Sequence, residues 1–425
     1  MEKNLINPDK EHGVTMDFSF SEEEELFRSS VKEFCEKYIA PRWIEIDEAR
    51  KGTPVDLIKT MGQQGLFCIP VREEYGGMGG TLTMAAIAVD EMAYYDPSIA
   101  IPVYTLLVNG WPMLLDLYGS EEAKSEILPK VAAGEAFFGI ATTEPQGGSD
   151  IAGTRVTARK ENGKWIFNGE KAYISGVKET LELPWGGGFF LIARTGPKEA
   201  GHRSLTTFAF LAKKDGEIVK GFEPTYYEDI GRAGISCGGF MLNDVEVDDK
   251  YRIGDENKGF YINMEGFNVA RILVAAAAIG SARWALDQAK EWFRVRKLFG
   301  RYISSFQGVN FKFAELYARL EAARLIVYKA AWLADQIYIH KNPAYSPRDL
   351  NVPVAMAKMM GPEVAADIYE EVMKWHGAYG YTRECPIFRG WLGTFSYVIG
   401  AEGAQNIMRY IIARDVIGAE YVRPG

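Results

Sequence analysis

The sequence predicts a mostly helical α+β protein in which two helical regions enclose a central β region. Apolar residues recur at helical spacing before about residue 135 and again after Gly259, while the stretch between breaks into short runs punctuated by turn signals. With 425 residues and 47% hydrophobic content, the chain can bury a substantial core. The expected boundaries are a polar, disordered leader at 1–15, an N-terminal helical domain at 16–135, a middle β-domain at 136–250 and a C-terminal helical bundle at 251–425.

The first helix opens on a capping box, Ser21 with Glu24, and continues through Phe27, Val31, Phe34 and Tyr38 until Pro41 stops it. Further helices are expected near 55–65, 81–95, 101–117 and 120–133, the last opened by Ser120 and closed by Gly134. Val156 to Lys160, Asn162-Gly163, Lys164 to Phe167 and Asn168-Gly169 read as a hairpin with its turns, and Phe189 to Ala193, Leu205 to Leu211 and Gly239 to Leu242 continue the strand pattern. Glu179 to Gly188, with Pro184 and three consecutive glycines, reads as an exposed loop between strands. A long amphipathic helix runs through Phe313, Leu316, Leu320, Ala323, Val327, Ala330, Ala334 and Ile337. Pro362 is expected to open another that ends near Gly377, and a last one runs from about Ala404 to Gly418.

The net charge of -9 and pI near 5.3 argue against a nucleic-acid surface. Cys35, Cys68, Cys237 and Cys385 lie far apart without metal-ligand spacing, and only four histidines are present, so a structural zinc site is not expected. No basic leader with an apolar core precedes the first helix and no apolar run approaches bilayer-spanning length, so no membrane association is expected and the default compartment is the cytoplasm.

Ile140-Ala-Thr-Thr-Glu-Pro-Gln-Gly-Gly-Ser-Asp150 carries the first chemical signal. Pro145 fixes a turn, Gly147 and Gly148 let backbone amides approach a flat ligand, and Thr143 and Ser149 offer hydroxyls. Alone, such a cluster is more often a surface turn. Four more segments accompany it: Asn168-Gly-Glu-Lys-Ala-Tyr-Ile-Ser175, Arg294-Val-Arg-Lys-Leu-Phe-Gly-Arg301 with Phe306-Gln307, Trp375-His-Gly-Ala-Tyr-Gly-Tyr-Thr382, and Ala401-Glu-Gly-Ala-Gln-Asn-Ile-Met-Arg409.

Taken together and in this order, these segments resemble the acyl-CoA dehydrogenase family across residues 16–420. The resemblance implies a barrel-like middle domain, a C-terminal four-helix bundle and FAD as cofactor. It implies flavin contacts from Ile140, Thr142, Thr143, Gly148 and Ser149, with Tyr173 packing near the ring, where many members have Trp, and Ser175 hydrogen-bonding it. Arg296, Phe299 and Gln307 inherit contacts to the nucleotide of a neighbouring subunit's FAD. Gly377 belongs to a turn approaching the pyrophosphate, although Ala378 and Lys374 replace the usual Gly and Gln. Ala404 and Asn406 fall on the cofactor-binding part of the last segment.

By the same resemblance Glu402 is the base that removes the substrate α-proton, with Ser149 and Gly403 beside the substrate. Some members carry the base immediately before the Arg of the segment matching Gly266-Phe-Asn-Val-Ala-Arg271, where this chain has Ala270. Asn268 and Arg271 would lie near the CoA chain or form an interhelical contact. Read without the resemblance, a Glu at a helix start is more often a dipole partner.

The implied reaction makes a 2-enoyl-CoA from an acyl-CoA by proton abstraction and hydride transfer to flavin N5, with electrons passing to an electron-transferring flavoprotein. The shared FAD site implies at least a dimer, and the family suggests a homotetramer. Gly400 and Ala401 before Glu402 are smaller than the family's usual residues, which favours a branched, cyclic or aryl-bearing acyl group. Asp90 matches a carboxylate that an alicyclic-acyl branch uses chemically, against the plainer reading of a structural helix carboxylate. Ala100 stands where glutaryl-type members carry an Arg. Alternatives are an oxygen-using oxidase, a flavin-bearing DNA-binding relative and a scaffold without activity.

Overall fold

The computed structural model describes residues 18–422, so the leader expected at 1–15 lies outside the described residues. Six helices come first: α1 (Glu22–Tyr38), α2 (Trp43–Ala49), α3 (Val55–Gln63), α4 (Leu82–Tyr95), α5 (Ala100–Tyr118) and α6 (Glu121–Ala132). The capping box at the start of α1 is formed: the Ser21 hydroxyl accepts the Glu24 N–H at 3.2 Å and the Glu24 carboxylate accepts the Ser21 N–H at 2.8 Å.

The central region holds β1 (Ala136–Ala141), β2 (Thr157–Glu161), β3 (Lys164–Ser175), α7 (Val177–Glu182), β4 (Gly186–Arg194), β5 (Leu205–Lys214), β6 (Glu217–Ile218), β7 (Phe222–Tyr227), β8 (Cys237–Asp248) and β9 (Arg252–Ile253). These strands form one mixed sheet in the order β6-β5-β4-β2-β3-β8-β7, with β1 pairing parallel to β4 and β9 antiparallel to β5. Asn162 and Gly163, both with positive φ, turn β2 into β3 as the sequence suggests. Asn168-Gly169 does not turn the chain. It lies inside β3 at a register shift against β8, so its turn-forming composition is spent on a bulge.

The C-terminal part contains α8 (Gly259–Val295), the short pair β10 (Lys297–Leu298) and β11 (Arg301–Tyr302), α9 (Gln307–Ala334), α10 (Asn351–His376), α11 (Ile387–Ile399) and α12 (Gln405–Ile417). Residues Gly266 to Ala282 of α8 are buried all round, enclosed by α4, α5, α9 and α10. Aromatic pairs join the sheet to the N-terminal helices, with Tyr104 5.3 Å from Phe137 and Trp111 5.1 Å from Phe190.

Three further expectations require correction. Glu179 to Gly188 is not an exposed loop but the end of α7 and the start of β4, with Glu179, Thr180, Leu183 and Trp185 to Gly188 buried and only Glu182 and Pro184 exposed. The Glu179 carboxylate accepts the N–H of Thr53 at 2.8 Å and of Ser236 at 3.0 Å, and a Cβ on Gly188 would stand 1.9 Å from the Phe210 carbonyl; the polar and glycine signals reflect inner hydrogen bonding and close strand approach. Pro362 sits inside α10 instead of opening it; the helix begins beyond a Ser346–Asp349 capping box, and Gly361 beside the proline packs close to Ala275 of α8. Finally, α5 and α8 are long and apolar enough to cross a membrane, contrary to the sequence reading, yet both lie almost wholly inside the protein.

Helices α4 and α8 cross at Gly280, where an added Cβ would lie 2.0 Å from the Asp90 carbonyl oxygen. Gly280→Ala is therefore expected to lower stability by about 1–3 kcal/mol through overpacking, despite the better helix propensity of alanine. Thermal unfolding checks this; an unchanged or raised midpoint would contradict the close crossing.

Candidate active site

A cavity of about 930 Å3 opens between the sheet, α5, α8 and the turn joining α11 to α12. Ile140, Thr142, Thr143, Gly148, Ser149, Tyr173 and Ser175 face it from the sheet side. Arg271, Glu402, Gly403 and Ala404 face it from the helical side, and Val103, Leu106 and Leu107 of α5 supply an apolar wall.

The turn carrying Glu402 is unusual in its backbone. Ala401, Glu402 and Gly403 have φ of 26°, 52° and 111°, so two consecutive residues with side chains occupy the left-handed region. Such backbone persists only where surrounding contacts over-determine it. Here the Arg271 Nε donates to the Glu402 carbonyl at 2.8 Å, and Lys358 Nζ donates to the carbonyls of Tyr397 at 2.8 Å, Gly400 at 3.1 Å and Gly403 at 2.6 Å. The Glu402 carboxylate and backbone N–H have no hydrogen-bond partner among the described residues. Burial raises the pKa of this carboxylate above its usual range, opposed by the positive charges of Lys358, Arg232 and Arg271.

The opposite wall is set by a buried ion pair. Lys171 in β3 lies 2.9 Å from Glu144 and also donates to the Thr142 carbonyl at 3.0 Å. Glu144 accepts the N–H groups of Arg155 at 2.7 Å and Val156 at 3.0 Å. Burial opposes its ionisation, but Lys171 and these two amides hold its pKa below the usual value. The pair thereby ties both ends of the 142–156 loop to β3, leaving the hydroxyls of Thr143 and Ser149 at the cavity.

The structure separates the other expected residues. Arg296, Phe299 and Gln307 lie outside this cavity on exposed surface between α8 and α9, with Phe299 96% exposed at φ 51°. Gly377 caps α10 with φ 63°, exposed, and Asn406 is exposed in the first turn of α12. Asp90 requires correction as a substrate contact: it is 2% exposed between helices, 2.8 Å from Arg283, and accepts the Tyr328 hydroxyl at 2.7 Å. Its plainer reading as a structural carboxylate matches this placement. Asn268 also leaves the cavity, bridging Asn351 and Arg271 at 3.2 Å each, because the buried face of α8 needs its polar groups paired. Arg271 remains at the wall, but its Nε is engaged by the base-bearing turn.

Sequence reading missed three residues. Lys358 is a lone cation in the apolar run Val354 to Gly361, a signal that could have marked it. Arg232, on a loop at φ 48°, donates to the Ser175 hydroxyl at 3.2 Å and lines the cavity. Tyr397 lines it too, with a buried hydroxyl that has no partner among the described residues. No local pattern distinguishes these last two from core and loop residues.

Family models described as the acyl-CoA dehydrogenase N-terminal, middle and C-terminal domains match residues 21–135, 139–245 and 257–417. The chain is 32% identical to the probable acyl-CoA dehydrogenase YngJ of Bacillus subtilis, covering 95% of this chain and 100% of that protein. It is 31% identical to a 3-(aryl)acrylate reductase of Clostridium sporogenes, covering 94% and 99%. Among solved structures, a glutaryl-coenzyme A dehydrogenase in complex with glutaryl-CoA superposes with a TM-score of 0.84 at 30% identity, covering 96% of this chain and 99% of that one.

Lys171→Met would leave Glu144 buried without its cation and is expected to cost about 3–5 kcal/mol. Pairing it with Glu144→Gln should recover part of that loss. Chemical unfolding of the single and double variants checks this, and a single variant as stable as the parent would contradict the role given to the pair.

Proposed function

The chain belongs to the acyl-CoA dehydrogenase family, and on that premise we propose that it oxidises an acyl-CoA thioester to the 2-enoyl-CoA with Glu402 as the base. The observation that carries this reading is the placement of the Glu402 carboxylate, without a hydrogen-bond partner among the described residues, at the wall of the large cavity on a turn held by two cations.

A thioester acidifies its α-carbon only modestly, so removing that proton near neutral pH requires a positioned base and donors for the developing enolate oxygen. The Glu402 N–H is available for the thioester oxygen, since it donates to no other described residue. Filling the cavity expels water, which raises the basicity of Glu402 further, while Lys358, Arg232 and Arg271 keep its ionised form accessible. The enolate charge forms near these same cations.

The sheet-side wall fits a flat, polar-edged ring. It offers Thr142, whose own hydroxyl donates to Asn263, the hydroxyls of Thr143, Ser149 and Ser175, the close backbone of Gly148, and the Tyr173 ring, held 66% exposed at φ 58°. These residues, with Ile140 and Ala404, would hold FAD, and residues Arg296, Phe299, Gln307, Gly377 and Asn406 are proposed to serve the cofactor at a shared subunit boundary. When bound, the flavin supplies the acceptor for hydride from the β-carbon. The reading extends to a cytoplasmic homotetramer that hands electrons to an electron-transferring flavoprotein, as the family resemblance implies.

For the substrate we propose a branched, cyclic or aryl-bearing acyl group. Gly400 and Ala401 leave space beside the base, the cavity is large, and Leu392 and Phe395 extend its apolar lining. The likeness to a 3-(aryl)acrylate reductase supports an aryl group. Asp90 has no part in this reading because Arg283 and Tyr328 engage it outside the cavity.

The test is anaerobic mixing of the flavin-loaded protein with butyryl-, isobutyryl-, cyclohexanecarbonyl- and 3-phenylpropanoyl-CoA, following loss of flavin colour. One of the last three is expected to bleach fastest, and preference for butyryl-CoA would reject the substrate class. Glu402→Gln is expected to slow bleaching by about 10²–10⁴-fold while retaining flavin. Because burial raises the pKa of Glu402, the parent rate should rise with pH through a midpoint above the ordinary Glu value of about 4.3. A Glu402→Gln rate equal to the parent's would overturn the assignment of the base.

A further inference from the structure

We infer that Lys358 is a positioning residue for proton abstraction, clamping the turn that presents Glu402 to the substrate. The inference rests on the reading of Glu402 as the base.

Lys358 is completely buried in α10, where an unpaired ammonium would be costly. Its three N–H donors are matched by three carbonyl acceptors, those of Tyr397, Gly400 and Gly403 at 2.8, 3.1 and 2.6 Å. Two of these carbonyls belong to the end of α11, which exposes unsatisfied acceptors and the negative pole of the helix. The third lies one residue beyond Glu402. The ammonium thus holds the chain on both sides of the base, while Arg271 holds the carbonyl of Glu402 itself.

Such a clamp is needed because the intervening backbone is strained. Non-glycine residues in the left-handed region are disfavoured and relax unless contacts prevent it. Ala401 and Glu402 are two in succession, with φ of 26° and 52°. Releasing the Gly400 and Gly403 carbonyls would let the turn relax and swing the Glu402 carboxylate, which no hydrogen bond restrains. A displacement of about 1 Å at a reacting group is enough to cost about 100-fold in rate.

The clamp also has a pH limit. Burial pulls the pKa of Lys358 down to about 7, with the negative charges of Glu402 on the turn and Glu363 on its own helix favouring the proton and Arg271 on α8 opposing it. Arg409 of α12 neutralises Glu363 in turn. As pH rises through this value the ammonium loses its charge and one donor, so the hold on the turn weakens.

The test compares Lys358→Met and Lys358→Arg with the parent in the same anaerobic bleaching experiment, using whichever of the four thioesters the parent oxidises fastest. Lys358→Met is expected to keep its flavin and to saturate at the parental thioester concentration within about threefold, yet to bleach about 100-fold more slowly, and Lys358→Arg should recover to within about tenfold of the parent. A Lys358→Met rate within threefold of the parent overturns the inference, as does a loss of rate that merely tracks lost flavin. A Glu402→Gln protein that bleaches normally overturns the underlying reading instead, so the two failures are distinct. Should Lys358→Met fail to fold, the parent decides: its rate is expected to fall again above about pH 7, and a rate that stays level or climbs to about pH 9 overturns the inference.

Discussion

Two buried cations, Lys358 and Arg271, satisfy the carbonyls of Gly400, Glu402 and Gly403, and this hold on a strained turn is the constraint on which the site depends. The Lys358 ammonium is buried with all three donors matched by acceptors, and those donors in turn hold the left-handed backbone of the turn. Each cost therefore offsets the other. The result is a carboxylate at the wall of a cavity with its own backbone amide unpartnered among the described residues, between the sheet on one side and helices on the other.

The same logic joins the helical and sheet parts of the molecule. Asp47 of α2 accepts the N–H of Ala233 at 3.0 Å and the guanidinium of Arg389 at 2.6 Å, so one carboxylate fixes both the loop bearing Arg232 and the helix that leads into the base turn. Glu179 links Thr53 near the start of α3 to Ser236 before β8. Lys171 and Glu144 fix the loop on the far side. Buried, hydrogen-bonded charges of this kind specify relative placement more than they add stability, which suits walls that must stay in register across a cavity.

Much of this was legible in the sequence because the strongest signals were local. The α1 capping box, the Asn162-Gly163 turn, the long apolar stripe of α9 and the small residues before Glu402 are each written within a few positions. The failures came where tertiary contacts reassign a local signal. Glu179 looked like a solvated loop residue because its partners, Thr53 and Ser236, are distant in sequence. Pro362 looked like a helix start because proline favours a first helical turn, while the start set by the Ser346–Asp349 capping box lies well upstream. Asp90 stayed open between a chemical and a structural role because Arg283 and Tyr328, which engage it, are distant in sequence, and Lys358 looked unremarkable until three carbonyls converged on its amine.

The central claim is that Glu402 takes the α-proton, a step that can be watched apart from hydride transfer. With the flavin held reduced, the protein is incubated in D2O with the thioester it oxidises fastest, and the α-hydrogen signal is followed by NMR. The parent is expected to exchange the α-hydrogen for deuterium while leaving the β-hydrogens intact, and Glu402→Gln to leave both untouched. Continued α-exchange by Glu402→Gln at the parental rate would contradict the claim.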